Sequence, residues 1–189
     1  LAGCDAVKFQ KRTIDIVYSK EELDKPRESP FGITNGDLKE GLEFGLDEYR
    51  EIDRFCKQIG IMWFASCWDI DSVDFIEQFD PPCYIIASPC LTDNKLLLHT
   101  KSKRKPVVLS TGMSSLDQID YAVKLLEDNL IILHCTSTYP GKIEELNLNV
   151  ISFLKDLYPY PIGYSGHEVG ISTTVAASVL GAKMIERHI

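Results

Sequence analysis

Pro161-Ile-Gly-Tyr-Ser-Gly-His167 and Ala182-Lys-Met-Ile-Glu-Arg-His188 decide the fold. Each is a short, largely apolar run that ends on polar residues. The two histidines stand 21 residues apart, with one helix-like stretch, Gly170–Leu180, between them. That is the length of a strand–helix–strand step, so both side chains can reach one rim of a parallel sheet. Two imidazoles meeting there can hold a divalent metal, and a metal with open positions polarises a carbonyl. Each can equally be a hydrogen-bonded residue at a strand end, and spacing alone leaves both readings standing.

The same pattern extends outward. Apolar runs at Ala6–Gln10, Met62–Cys67, Cys83–Ser88, Pro106–Thr111, Leu130–Ser137, Pro161–His167 and Ala182–His188 read as seven buried strands. From residue 62 onward their starts are separated by 21, 23, 24, 31 and 21 residues, too long for hairpins and right for strand–helix units. The gaps carry helical period. Leu116, Ile119, Ala122, Val123 and Leu126 share a face behind a Ser115 cap, and Asp47–Ile59 stops at Gly60. Asp71–Gln78, Leu91–Ser102 and Leu148–Tyr158 fill the other intervals, with Asp69 and Asp71 as helix-start residues. Residues 11–46 are polar and rich in Pro and Gly, which reads as a long loop or insertion able to act as a lid.

Strands alternating with helices leave a (β/α)8 barrel or a doubly wound open sheet. No GxGxxG follows a strand. Polar residues recur at nearly every strand's carboxyl end, which favours a barrel, where those ends form one ring. The expected fold class is therefore α/β, a (β/α)8 TIM barrel.

The 189 residues are 44% hydrophobic and 25% charged, as in an ordinary globular protein. A net charge of −8 argues against nucleic acid as a partner. No apolar run is long enough for a membrane span and no signal peptide is visible. The basic run Lys101–Lys105 reads as solvated. Six cysteines without CxxC spacing read as reduced, buried thiols, and a cytoplasmic location is expected. Leu1-Ala-Gly-Cys-Asp resembles the end of a helix feeding a strand, and the sequence stops just after His188, so a fragment of a larger protein is expected.

Lys8 and Gln10 share a face of the first strand. A lysine there either binds an anion, the favoured reading, or pairs with a carboxylate on a neighbouring strand. Ser66, Ser88, Ser110 and Ser165 form a series of strand-end hydroxyls able to hold phosphate or carboxylate oxygens, and Ser110-Thr-Gly-Met-Ser-Ser115 is a strand end turning into a helix start. His134-Cys-Thr-Ser-Thr-Tyr-Pro140 leaves Tyr139 near the rim, with His134 read as a core histidine.

Asp5-Ala-Val-Lys-Phe-Gln10, Trp63-Phe-Ala-Ser66, Leu109-Ser-Thr-Gly-Met113, Leu133-His-Cys-Thr-Ser-Thr-Tyr-Pro140, Leu146-Asn-Leu-Asn149, Gly163-Tyr-Ser-Gly-His167 and Ile185-Glu-Arg-His188 together resemble the catalytic barrel of the sialic acid (N-acetylneuraminate) synthase family, the NeuB-type enzymes. The resemblance implies a transferase that condenses phosphoenolpyruvate with N-acetylmannosamine or a phosphorylated or modified N-acetyl sugar. The product is a nine-carbon 2-keto acid, and phosphate is released. It implies a divalent metal, Mn2+ or Mg2+, on His167 and His188, with Lys8 beside phosphoenolpyruvate. Ser66, Ser110, Ser137 and Ser165 fall on positions toward phosphate or carboxylate, Ser88 belongs to the same hydroxyl ring, and Gln10 and Tyr139 fall near the sugar.

The resemblance also implies a homodimer, a first barrel strand with an acidic residue upstream, and an antifreeze-like domain downstream. Residues 1–189 would then be a partial barrel, expected to be of low stability and inactive alone. Ile85 stands where the family usually has a lysine near phosphoenolpyruvate, which leaves a catalytically impaired sugar- or phosphate-binding homologue as the alternative.

Overall fold

The computed structural model describes residues 3–189; Leu1 and Ala2, read above as a helix end, lie outside the described residues. The chain divides into two compact units, one ending at Tyr84 and one running Ile85–Ile189.

In the first unit β1 (Ala6–Lys11) is followed by two one-turn helices, α1 (Ile14–Val17) and α2 (Lys20–Leu23). A hairpin of β2 (Pro26–Ser29) and β3 (Gly32–Thr34) comes next, then α3 (Asn35–Gly41), α4 (Leu46–Ile59), β4 (Met62–Cys67) and α5 (Ile70–Glu77). β1 and β4 pair in parallel, with Gln10 opposite Ser66. Tyr49 of α4 is fully buried in a nest of aromatic rings from Phe9, Trp63, Phe75 and Phe79. Its hydroxyl donates to Gln10 O at 2.9 Å and so anchors the carboxyl end of β1. Gly60 takes a left-handed φ of +71° and closes α4. Asp69 caps α5 through Ser72 N at 2.8 Å.

The expected long loop over residues 11–46 is corrected: this stretch is largely folded into the short helices and the hairpin. Thr34 and Asp37 form a capping box at α3, Ser19 caps α2, and Glu43 accepts from Lys11 Nζ (3.3 Å) and Arg12 Nε (3.2 Å). A four-residue helix is too short to display a 3.6-residue period, so the sequence there looks merely polar.

β5 (Tyr84–Ile86) carries the chain into the second unit. There α6 (Asn94–Ser102), β6 (Val107–Ser110), α7 (Leu116–Leu126), β7 (Leu130–Cys135), α8 (Asn149–Leu157), β8 (Ile162–Gly166), α9 (Ser172–Val179) and β9 (Ile185–Arg187) alternate. The strands lie in chain order, and the pairs β6–β7, β7–β8 and β8–β9 are parallel. Every residue of β6 and β8 is buried, as a sheet covered on both faces requires. Ser115 caps α7, as expected, and Gln118 completes a capping box that the sequence reading did not include. Helix α6 starts later than expected because Asp93 caps it and Ser88–Cys90 form a 3-10 turn.

All seven expected strands form. Most are trimmed at their polar ends, so that His167 and His188 each stand one residue beyond a strand. No helix of the described residues is long and apolar enough to cross a membrane. None of the six cysteines, all among the described residues, forms a disulfide; Cys56, Cys67, Cys90 and Cys135 are buried, Cys83 is half-buried and Cys4 is exposed.

Candidate active site

The register of β8 and β9 assembles the centre of the site. Ser165 lies opposite Glu186 and Gly166 opposite Arg187, so the next residue on each chain is a histidine. The ring centroids of His167 and His188 are 5.0 Å apart. Alternation puts Ser165 and Glu186 on the same side as the imidazoles. Ser165 Oγ donates to Glu186 Oε1 at 2.8 Å.

Tyr139 joins the pair. Its hydroxyl lies 2.6 Å from His167 Nε2 and 3.0 Å from His188 Nε2, with its ring stacked on His167 at 3.9 Å. His167 Nδ1 faces Thr136 O at 2.7 Å, so Nδ1 carries the proton and Nε2 is the bare acceptor. Tyr139 then donates to His167 and accepts from His188. Burial of the hydroxyl, reinforced by Cys135 and Glu186, pushes the Tyr139 pKa up to about 12. The phenol remains a neutral donor at neutral pH.

Beside the rings the hydroxyls converge on Cys135, which is in register with Ser165. The side chains of Ser88, Ser165 and Ser137 lie within hydrogen-bonding reach of its thiol, and His167 Nδ1 is 4.0 Å away. Burial pushes the thiol's pKa up, and the three hydroxyls pull it only partly back. Gly112 N donates to Ser88 Oγ at 3.0 Å. A side chain at Gly112 would collide with the Ser137 and Ser88 hydroxyls, so glycine is required for that close approach. Ser110 is buried at the end of β6, in register with Leu133.

Three of the expected site residues belong to the first unit. Lys8 is half-buried in β1 and Gln10 is exposed at its end. Ser66 is 1% exposed, and its hydroxyl has no hydrogen-bond partner. A buried hydroxyl with an unmade bond is costly, which makes Ser66 a candidate for contact with a ligand. In the second unit His134 is the core histidine expected. It is buried, with Nε2 2.6 Å from Leu146 O, and burial holds its pKa below the usual value despite that bond.

The chemistry of the two-histidine pair fits a divalent cation. Both Nε2 atoms converge, in this structure on the Tyr139 hydroxyl, whose place between them a cation would take, and the Nδ1–H to carbonyl bond of His167 is the usual brace of a metal-binding imidazole. Among the described residues no group of three or more His, Cys, Asp or Glu side chains could hold an ion. Two imidazoles would leave the remaining positions to water and substrate.

Sequence reasoning missed Cys135, Glu168 and Arg187. Glu168 is buried and accepts from Tyr164 Oη at 2.8 Å, from Thr173 Oγ1 and from Arg187. Burial opposes its charge, yet these bonds outweigh burial and hold its pKa below the usual range.

Parallel β/α units with histidines and hydroxyls at the carboxyl ends of their strands define an α/β protein of the kind that does its chemistry at those ends. The sequence profile of the NeuB family matches residues 1–189, and the chain belongs to that family. It is 42% identical over 193 residues to human N-acetylneuraminate-9-phosphate synthase, covering 99% of this chain and 54% of that protein. It is 31% identical to the N,N'-diacetyllegionaminic acid synthase of Legionella pneumophila over 198 residues, covering 99% of this chain and 56% of that one. The N-acetylneuraminic acid (sialic acid) synthetase of Leptospira borgpetersenii, solved with citrate, superposes with a TM-score of 0.83 at 28% identity, over 97% of this chain and 62% of its own. The chain spans about half the length of the curated relatives it matches.

Proposed function

We propose that this chain is part of a (β/α)8 barrel that condenses phosphoenolpyruvate with N-acetylmannosamine, or a phosphorylated or modified N-acetyl sugar. The product is a nine-carbon 2-keto acid. The observation that carries the reading is the convergence of His167, Tyr139 and His188 beside the Ser88, Ser137 and Ser165 hydroxyls. The named activities of the relatives support it. A divalent cation, Mn2+ or Mg2+, held by His167 and His188 supplies Lewis-acid polarisation of the sugar carbonyl when bound.

Carbon 3 of phosphoenolpyruvate forms the new bond to the sugar's aldehyde carbon. Water adds at carbon 2, and the tetrahedral adduct expels phosphate. The protein's part is positioning and charge stabilisation. Ser88, Ser110, Ser137 and Ser165 hold phosphate and carboxylate oxygens, with Ser66 and Lys8 of the first unit in the same roles. Gln10 and Tyr139 orient the sugar, with Tyr139 Oη as a hydrogen-bond donor. The complete protein acts as a homodimer in this reading.

Phosphate release requiring phosphoenolpyruvate, an N-acetylated hexose and Mn2+ together supports the proposal; release independent of the sugar contradicts it. Ile85 favours a second reading. It is 1% exposed in β5, so an apolar side chain fills the place where the resemblance expects a cation. If the complete protein shows no turnover and Ile85→Lys creates it, the chain is an impaired homologue that binds sugar or phosphate.

A further inference from the structure

The face of β8 and β9 turned away from the imidazoles carries its own device. Each histidine has a charged neighbour in sequence, Glu168 after His167 and Arg187 before His188, and these two neighbours pair with each other. The Glu168 side chain is 1% exposed, and Tyr164 and Thr173 also donate to it. Arg187 donates further to the backbone oxygens of Glu168 and, at 3.0 Å, of Gly170. The guanidinium therefore grips both the carboxylate and the turn that follows β8. Gly166 leaves the room for this: a side chain there would collide with Arg187 and crowd Glu168.

We propose that the Glu168–Arg187 pair is a positioning strap that fixes the ends of β8 and β9 so that the Nε2 atoms of His167 and His188 meet at one point. Alternation puts both on the face opposite the imidazoles. Each strap residue is one peptide bond from its histidine, so a shift of one strand end moves an imidazole by a comparable distance. The geometry stands by itself; its bearing on metal binding rests on the function proposed above. A buried ion pair broken on one side leaves an uncompensated charge and relaxes locally. Groups that hydrogen-bond a metal-binding histidine change affinity by about ten- to a hundredfold, and a strap acting through the backbone is expected at the lower end of that range.

The test compares the complete wild-type protein with Glu168→Gln and Arg187→Gln, and with the core variant Ile151→Val as a control for lost stability. Mn2+ affinity is read by electron paramagnetic resonance of the free ion. The Nε2 resonances of His167 and His188 are read by 15N NMR without metal. Weakening of Mn2+ binding by about tenfold in both strap variants and not in the control, with displaced Nε2 resonances, is the expected result. If wild type binds no Mn2+ but the Nε2 resonances still move in the strap variants alone, the strap holds and the metal reading fails. Unchanged resonances in both strap variants would overturn the strap, whatever the metal does.

Discussion

The strand ends of the two units solve the same problem differently. At the ends of β8 and β9 most polar side-chain atoms already have partners, the buried Glu186 Oε2 excepted. Ser165 bonds Glu186, Tyr139 bonds both imidazoles, and Glu168 is held by three donors. At the ends of β1 and β4 the Ser66 hydroxyl is buried with no hydrogen-bond partner. The first arrangement is largely hydrogen-bonded within the protein. The second carries an unmet bond that a ligand oxygen would complete. Groups already bonded within the protein keep their geometry, whereas an open group is one that a ligand atom can complete.

The largest expected effect breaks the fixed side. His167→Ala and His188→Ala each lower sugar-dependent phosphate release by about a thousandfold, the loss expected for removing several kcal/mol of charge stabilisation. The thermal midpoint changes little, since both rings lie beyond their strands. A kinetic assay beside a melting curve checks this.

Next come the two serines, which sharpen the contrast. Ser165→Ala removes a bond to a carboxylate and costs about 1–3 kcal/mol of stability, measured by denaturant titration. Ser66→Ala removes a hydroxyl that makes no bond in the protein, so stability holds or rises slightly. Its KM for phosphoenolpyruvate rises about tenfold, the loss of one hydrogen bond to an anion. A Ser66 variant that is destabilised with an unchanged KM would erase the distinction between the two regions.

The smallest effect concerns pH. His134 sits neutral in the core, its pKa lowered by burial. The unfolded chain therefore binds this proton more readily than the folded one. The stability His134 contributes is complete above the unfolded value of about 6.5 and is lost as pH falls through it, at no more than about 1.4 kcal/mol per pH unit. Melting curves between pH 7.5 and 5.5, flattened in His134→Gln, test the sign.

The strands were legible because runs buried on both faces are apolar throughout, and the beat of their starts gave the parallel β/α order. The segment between β1 and α4 was not, because its helices and hairpin are stabilised by caps and ion pairs such as Thr34–Asp37 and Arg12–Glu43, which leave no periodic trace. Of the site, His167 and His188 could be paired from spacing. The place of Tyr139 between them depends on the path of the loop after β7, where Gly141 N bonds His167 O at 3.1 Å, and no residue pattern encodes that path. Cys135 read as an inert thiol, although its two-residue separation from Ser137 put both on one face. Glu168 and Arg187 had a usable signal, opposite charges that flank the two histidines in sequence.

Electron spin-echo modulation of Mn2+ added to the complete protein tests the central claim most directly. Couplings to two imidazole nitrogens, with one lost in His167→Ala and one in His188→Ala, are the predicted result. A bound ion with no imidazole coupling, or couplings unchanged in both variants, would contradict it.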